Sequence, residues 1–103
     1  MSKKITLLGS TGSIGTQSLD VVRMQGYEVF GLSANTQVDM VLQQIAEFHP
    51  KYVCMANEAA ADRLAAALAG QTGAPRVLRG AQGLRELAAM QGPDVVLNSV
   101  VGI

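Results

Sequence analysis

The run Lys4-Ile5-Thr6-Leu7-Leu8-Gly9-Ser10-Thr11-Gly12-Ser13-Ile14-Gly15 constrains this chain more than any other. A short apolar strand leads into three glycines spaced three apart, and a helical pattern follows at once. That succession leaves backbone N–H groups at a helix N-terminus facing outward, and missing side chains let an anion come close to them. A dinucleotide with its pyrophosphate bridge is the ligand such a turn suits. The spacing is Gly-x-x-Gly-x-x-Gly, not the commoner Gly-x-Gly-x-x-Gly. Gly9 would let the chain turn sharply, Gly12 would admit phosphates to the backbone, and Gly15 would let the helix lie close to the strand. Ser10, Thr11 and Ser13 add hydroxyl donors, and Ile14 starts the helix.

The alternation continues to the end. Strands are expected at about 4–8, 28–33, 52–55, 76–78 and 95–99, and helices at about 13–24, 38–48, 58–68 and 82–90. Ile14, Ser18, Val21 and Val22 form the expected inward face of the first helix, which Gly26 closes with a left-handed cap. Thr36-Gln37-Val38-Asp39 reads as a capping-box variant with Thr36 as the cap, and Pro50 stops that helix. Asn57 caps the third helix and Gly70 closes it. The last strand is almost wholly apolar, as expected of a strand covered on both faces.

This pattern predicts an α/β fold: a Rossmann-like parallel sheet of about five strands with helices on both faces. Right-handed crossovers put strands two and three on one side of strand one, with the short fourth beyond strand three. The last strand falls on the other side of strand one. The reversal opens a crevice above strand one, where the glycine turn lies. Residues 1–103 make one domain, and a stop at Ile103 directly after a core strand reads as a cut from a longer enzyme.

Formal net charge is zero and no Lys/Arg run occurs, so no nucleic-acid partner is expected. No apolar run reaches membrane-spanning length, and the N-terminal apolar segment is a strand, not a signal peptide. Cys54, the sole cysteine, excludes an internal disulfide and the usual zinc patterns. It reads as a buried structural thiol, and the chain as cytoplasmic. Asp39, Glu47, Glu58, Asp62 and Glu86 fall on helix faces and read as solvated charges, as does Asp20. His49 sits before Pro50 in a loop and reads as exposed.

The second strand selects the cofactor. An NAD site ends that strand in Asp or Glu for the ribose 2′-hydroxyl. Here it ends Leu32-Ser33-Ala34-Asn35-Thr36-Gln37, without a carboxylate. A 2′-phosphate meets no repulsion, Ser33, Asn35, Thr36 and Gln37 offer hydrogen bonds, and the next helix adds its positive dipole end. The cofactor expected is NADP.

Gly-Ser-Thr-Gly-Ser-Ile-Gly at 9–15, followed by Leu19-Asp20-Val21-Val22, resembles the start of the 1-deoxy-D-xylulose 5-phosphate reductoisomerases. Ala34-Asn35-Thr36-Gln37-Val38 is similar to that family's second cofactor loop. So are Tyr52-Val53 after His49-Pro50-Lys51, and the ending Asn98-Ser99-Val100-Val101-Gly102. The resemblance covers essentially the whole chain. It implies NADPH-dependent conversion of 1-deoxy-D-xylulose 5-phosphate to 2-C-methyl-D-erythritol 4-phosphate in non-mevalonate isoprenoid synthesis, by a homodimer with a divalent metal, Mg or Mn. It implies that Thr11, Gly12, Ser13 and Ile14 hold the pyrophosphate side of NADPH, with Gly9 and Gly15 counted among the cofactor-binding positions, and Asn35, Thr36 and Gln37 the 2′-phosphate side. Ser99, in the turn through Gly102, would border the nicotinamide. Many members carry a basic residue where Thr36 stands. The family's metal carboxylates, lid and substrate-phosphate residues lie past Ile103, so no catalytic and no metal residue is expected here. The chain alone would bind NADPH and turn nothing over. The alternatives are the cofactor half of another oxidoreductase such as a semialdehyde dehydrogenase, a stand-alone nucleotide-sensing module, and a scaffold without a ligand.

Overall fold

Which side of each strand meets which helix follows from alternation along the strands. The computed structural model describes residues 3–98. In chain order the elements are β1 (Lys4–Leu8), α1 (Ser13–Gln25), β2 (Glu28–Ala34), α2 (Val38–Phe48), β3 (Tyr52–Met55), α3 (Glu58–Leu68), β4 (Arg76–Arg79), α4 (Gly80–Ala89) and β5 (Val95–Asn98). The strands form one parallel sheet in the order β4-β3-β2-β1-β5. That is the expected Rossmann-like order, with the reversal after β4.

Ile5 and Leu7 of β1, Leu32 of β2, and Val53 and Met55 of β3 point to one face. There they pack with Leu19 and Val22 of α1, Val41 and Ile45 of α2, and Leu64 and Leu68 of α3. Leu8 and Cys54 point the other way and meet Leu84 and Leu87 of α4. Three helices therefore cover one face and α4 the other. Each fully buried Leu or Val on these faces contributes about 1.5–3 kcal/mol.

Several expectations need correction. The inward stripe of α1 is Gly15, Leu19 and Val22, while Ile14 and Val21 are each 53% exposed. The helix is seated on Gly15, which shifts the i, i+4, i+7 stripe one position along. Within residues 3–98 the last strand, β5, stands at the edge of the sheet beside β1, and Val96 and Leu97 are 40% and 37% exposed there. The fourth helix starts two residues earlier than expected, at Gly80, which has φ 69°.

The acidic residues singled out in the sequence are exposed, yet three of them are ion-paired. Arg23 of α1 forks onto Glu47 of α2, with Nη2 donating to Oε1 at 2.8 Å, and pairs with Asp20 at 2.6 Å. Arg79 pairs with Asp62. The Arg23 hydrogen bond holds the Glu47 carboxyl below its ordinary pKa. At this exposure such pairs add little stability.

Cys54 is fully buried, its thiol donating to the Gly80 carbonyl at 3.7 Å. Burial pushes the thiol up to about 11. The folded state thus favours the protonated thiol. That preference is complete below the ordinary value of 9.0 and is lost as pH rises through about 11. Native protein at pH 8 is therefore expected to resist iodoacetamide, and denatured protein to be alkylated fully, as read by intact mass. Rapid labelling of the folded protein would contradict the buried placement.

Candidate functional site

β1 delivers the chain into the glycine turn at Gly9, whose φ of 85° lies in the region that favours glycine. The turn is clamped from β2. The Gly9 amide donates to the Ser33 carbonyl at 3.0 Å and to the Ser33 hydroxyl at 2.9 Å, and the Ser10 amide donates to the same carbonyl at 2.8 Å. It is also clamped from α2. The Ser10 hydroxyl donates to Gln44 Oε1 at 2.7 Å, and Gln44 Nε2 donates back to the Ser10 carbonyl at 2.9 Å. Ser10 and Ser33 are both buried. Their hydroxyls, expected to serve a ligand, serve the loop instead.

After Ser10 the chain surfaces. Thr11 is half-buried, and Gly12, Ser13 and Ile14 are exposed. Gly12 is the N-cap of α1, and its carbonyl accepts from the Thr16 amide at 2.9 Å. Among the described residues the amides of Thr11, Gly12, Ser13 and Ile14 have no backbone acceptor. They stand at the positive end of a thirteen-residue helix.

The remaining two glycines of the motif contrast sharply. A Cβ on Gly15 would lie 2.0 Å from the Gly9 carbonyl oxygen and 2.9 Å from Ser10 Cα. The fold itself demands glycine there. A Cβ on Gly12 would meet nothing within 4 Å among the described residues, and φ −80° with ψ 176° suits any residue. No steric demand fixes glycine at position 12, and the space a Cβ would occupy there is open.

Asn35, Thr36 and Gln37 are exposed at the carboxyl end of β2, beside the turn that leaves β1. The loop is held by β3's exit: the Ala56 amide donates to the Ala34 carbonyl at 2.8 Å and Asn57's to the Asn35 carbonyl at 3.3 Å. The expected Thr36 capping box is absent. The N-cap falls on Gln37 without a side-chain bond, because the Val38 amide turns back onto the Thr36 carbonyl at 2.9 Å. Thr36 thus sits one residue before the cap. Asn57 does cap α3, accepting from the Ala60 amide at 2.9 Å. Ser99 and the turn through Gly102 lie outside the described residues.

Gln44 was not singled out in the sequence. Its signal is a polar residue on the apolar stripe Val41-Gln44-Ile45-Phe48, which calls for a buried partner. His49 is exposed, in the left-handed C-cap of α2. A groove of about 430 Å³ lined by Lys4, Glu28, His49 and Lys51 opens at the amino ends of β1 and β2, the opposite end of the sheet. Among the described residues no group of three or more His, Cys, Asp or Glu is placed to hold a metal, and no helix is long and apolar enough to cross a membrane.

Residues 5–103 match the family model described as 1-deoxy-D-xylulose 5-phosphate reductoisomerase. The reductoisomerase of Tolumonas auensis is 43% identical over 100 residues, covering 95% of this chain and 25% of its own length. That of Clostridium perfringens is 39% identical over 103 residues, covering 98% of this chain and 27% of its own. Among solved structures, the Zymomonas mobilis reductoisomerase in complex with NADPH matches with a TM-score of 0.88 and 31% identity, over 99% of this chain and 27% of that one. A reductoisomerase in complex with NADPH, fosmidomycin and magnesium matches with a TM-score of 0.89 and 29% identity, over 97% of this chain and 25% of that one. The chain thus spans about a quarter of the length of these relatives. The semialdehyde-dehydrogenase alternative is set aside by the family match. On a match from Ile5 to Ile103, this chain belongs to the 1-deoxy-D-xylulose 5-phosphate reductoisomerase family.

Proposed function

We propose that residues 1–103 are the NADPH-binding domain of a 1-deoxy-D-xylulose 5-phosphate reductoisomerase, working in an enzyme whose metal and sugar-phosphate residues lie outside this chain. The observation that carries this reading is Gly12: open space over a helix N-terminus whose amides have no backbone acceptor among the described residues, at a position where the backbone has room for a Cβ. A ligand pressed against the backbone gives that glycine a reason.

Thr11, Gly12, Ser13 and Ile14 hold the pyrophosphate, chiefly through main-chain N–H groups. Gly9 and Gly15 shape the turn from within. Asn35, Thr36 and Gln37 hold the 2′-phosphate at the carboxyl end of β2, where the segment from Leu32 to Gln37 carries no carboxylate. Ser99 borders the nicotinamide end. When bound, NADPH supplies the hydride for the reduction of the rearranged sugar phosphate. This chain's part is to bind and orient the cofactor, while a divalent metal and the substrate belong to residues elsewhere in the enzyme. A homodimeric, cytoplasmic enzyme completes the proposal.

Titrating the intact protein with NADPH and NADH, read by reduced-nicotinamide fluorescence, tests this. NADPH is expected to bind more tightly. Thr36→Arg adds a cation beside the 2′-phosphate and is expected to tighten NADPH by roughly five-fold, about 1 kcal/mol, leaving NADH nearly unchanged. An equal gain for both cofactors would remove Asn35–Gln37 from the 2′-phosphate, and absence of binding would remove the function.

A further inference from the structure

A glycine-rich turn can bind a diphosphate tightly only if its amides already point the right way. Here Gly9 and Gly12 flank just two residues with side chains, and nothing in their own chemistry fixes the peptide plane between Ser10 and Thr11. Gln44 does so from outside. Its Nε2 donates to the Ser10 carbonyl at 2.9 Å, and its Oε1 accepts from the Ser10 hydroxyl at 2.7 Å. Ser10 is wholly buried and Gln44 is 8% exposed, so neither group has water as a substitute partner. In a planar trans peptide the C=O of one residue and the N–H of the next point in opposite directions. A Ser10 carbonyl drawn inward to Gln44 therefore turns the Thr11 N–H outward. That amide has no backbone acceptor among the described residues, and it belongs to the open side of the turn.

Resting on the NADPH reading above, we infer that Gln44 is a positioning residue: it locks the Ser10–Thr11 peptide so that the Thr11 amide faces the cofactor's pyrophosphate. It touches no ligand itself. The same helix has its N-cap at Gln37, in the 2′-phosphate loop, so α2 braces both phosphate contacts from one rigid element.

The test compares NADPH with adenosine 2′-monophosphate, which has no pyrophosphate, on the intact protein. Gln44→Met keeps the length of the side chain and removes both bonds. It is expected to weaken NADPH by roughly ten-fold and to leave adenosine 2′-monophosphate unchanged. Gln44→Glu is the second variant, because its carboxylate still accepts from the Ser10 hydroxyl yet offers the carbonyl no donor. It is expected to lose NADPH selectively as well. Ser10→Ala keeps the carbonyl bond and should cost less than about three-fold. Unaltered NADPH affinity in a folded Gln44 variant overturns the proposal. So does an equal loss for both ligands, which a merely loosened α2 would give. Failure of the unaltered protein to bind NADPH overturns the cofactor reading itself, and the proposal falls with it.

Discussion

Gly12→Val is expected to bind NADPH at least roughly a hundred-fold more weakly, a loss of about 2.7 kcal/mol, while melting only a few degrees below the unaltered protein. The two halves of that result have separate causes. The backbone at Gly12, with φ −80° and ψ 176°, is extended and accepts a β-branched residue, and a Cβ there meets nothing within 4 Å among the described residues. Valine is a poorer N-cap than glycine, which costs a fraction of a kcal/mol to about 1. That is the whole structural penalty. On the proposed NADPH site the binding penalty is larger, because the isopropyl group would fill the space through which the diphosphate is to reach the amides of Ser13 and Ile14. Fluorescence titration and thermal melting, run side by side, separate the two. Retained NADPH affinity would mean that the cofactor lies elsewhere. A collapse in melting temperature would mean that Gly12 serves the fold, against the open space recorded there.

Most of the fold was legible in the sequence because parallel α/β chains announce their parts by punctuation. Gly26, Asn57 and Gly70 fall where α1 ends, α3 begins and α3 is followed, and β1, α2, β3 and α3 keep their expected bounds. Strand order followed from handedness and needed no contacts. What stayed hidden were tertiary choices. On a hydrophobicity pattern Gly15 counts for little, yet it turns α1 so that Val21 faces solvent. Ser10 and Ser33 look like ligand donors in a string of hydroxyls. Only the pairing of Leu8 with Ser33 turns Ser33 toward the Gly9 amide, and only the packing of α2 brings Gln44 to Ser10. The open space over Gly12, on which the cofactor proposal rests, is also a fact of three dimensions, although the glycine itself was plain.

Gly15→Ala is the second large effect, and here two physical terms oppose each other. Alanine is the better helix former by about 1 kcal/mol, so propensity alone predicts stabilisation. Sterics predict the reverse, because the new Cβ would lie 2.0 Å from the Gly9 carbonyl oxygen, and backbone cannot give way as a flexible side chain does. Nor can the turn retreat, since the Gly9 and Ser10 amides are both bonded to the end of β2. The only relief is for α1 to lift away, and Leu19 and Val22, one and two turns along the same stripe, would lose their packing with it. Overpacking against a rigid wall costs 1–3 kcal/mol or somewhat more, so steric cost wins, and a net loss of about 2 kcal/mol is expected, roughly a 10 °C fall in melting temperature for a chain of this size. NADPH affinity should fall too, because the amides of Ser13 and Ile14 move with the helix. Gly12→Ala is the control: the same substitution three residues earlier, where the Cβ strikes no described neighbour, should lower the melt only by the few degrees a poorer N-cap costs. If Gly15→Ala melts at or above the unaltered protein, the close seat of α1 on the glycine turn is wrong, and with it the helix placement on which the proposed diphosphate site depends.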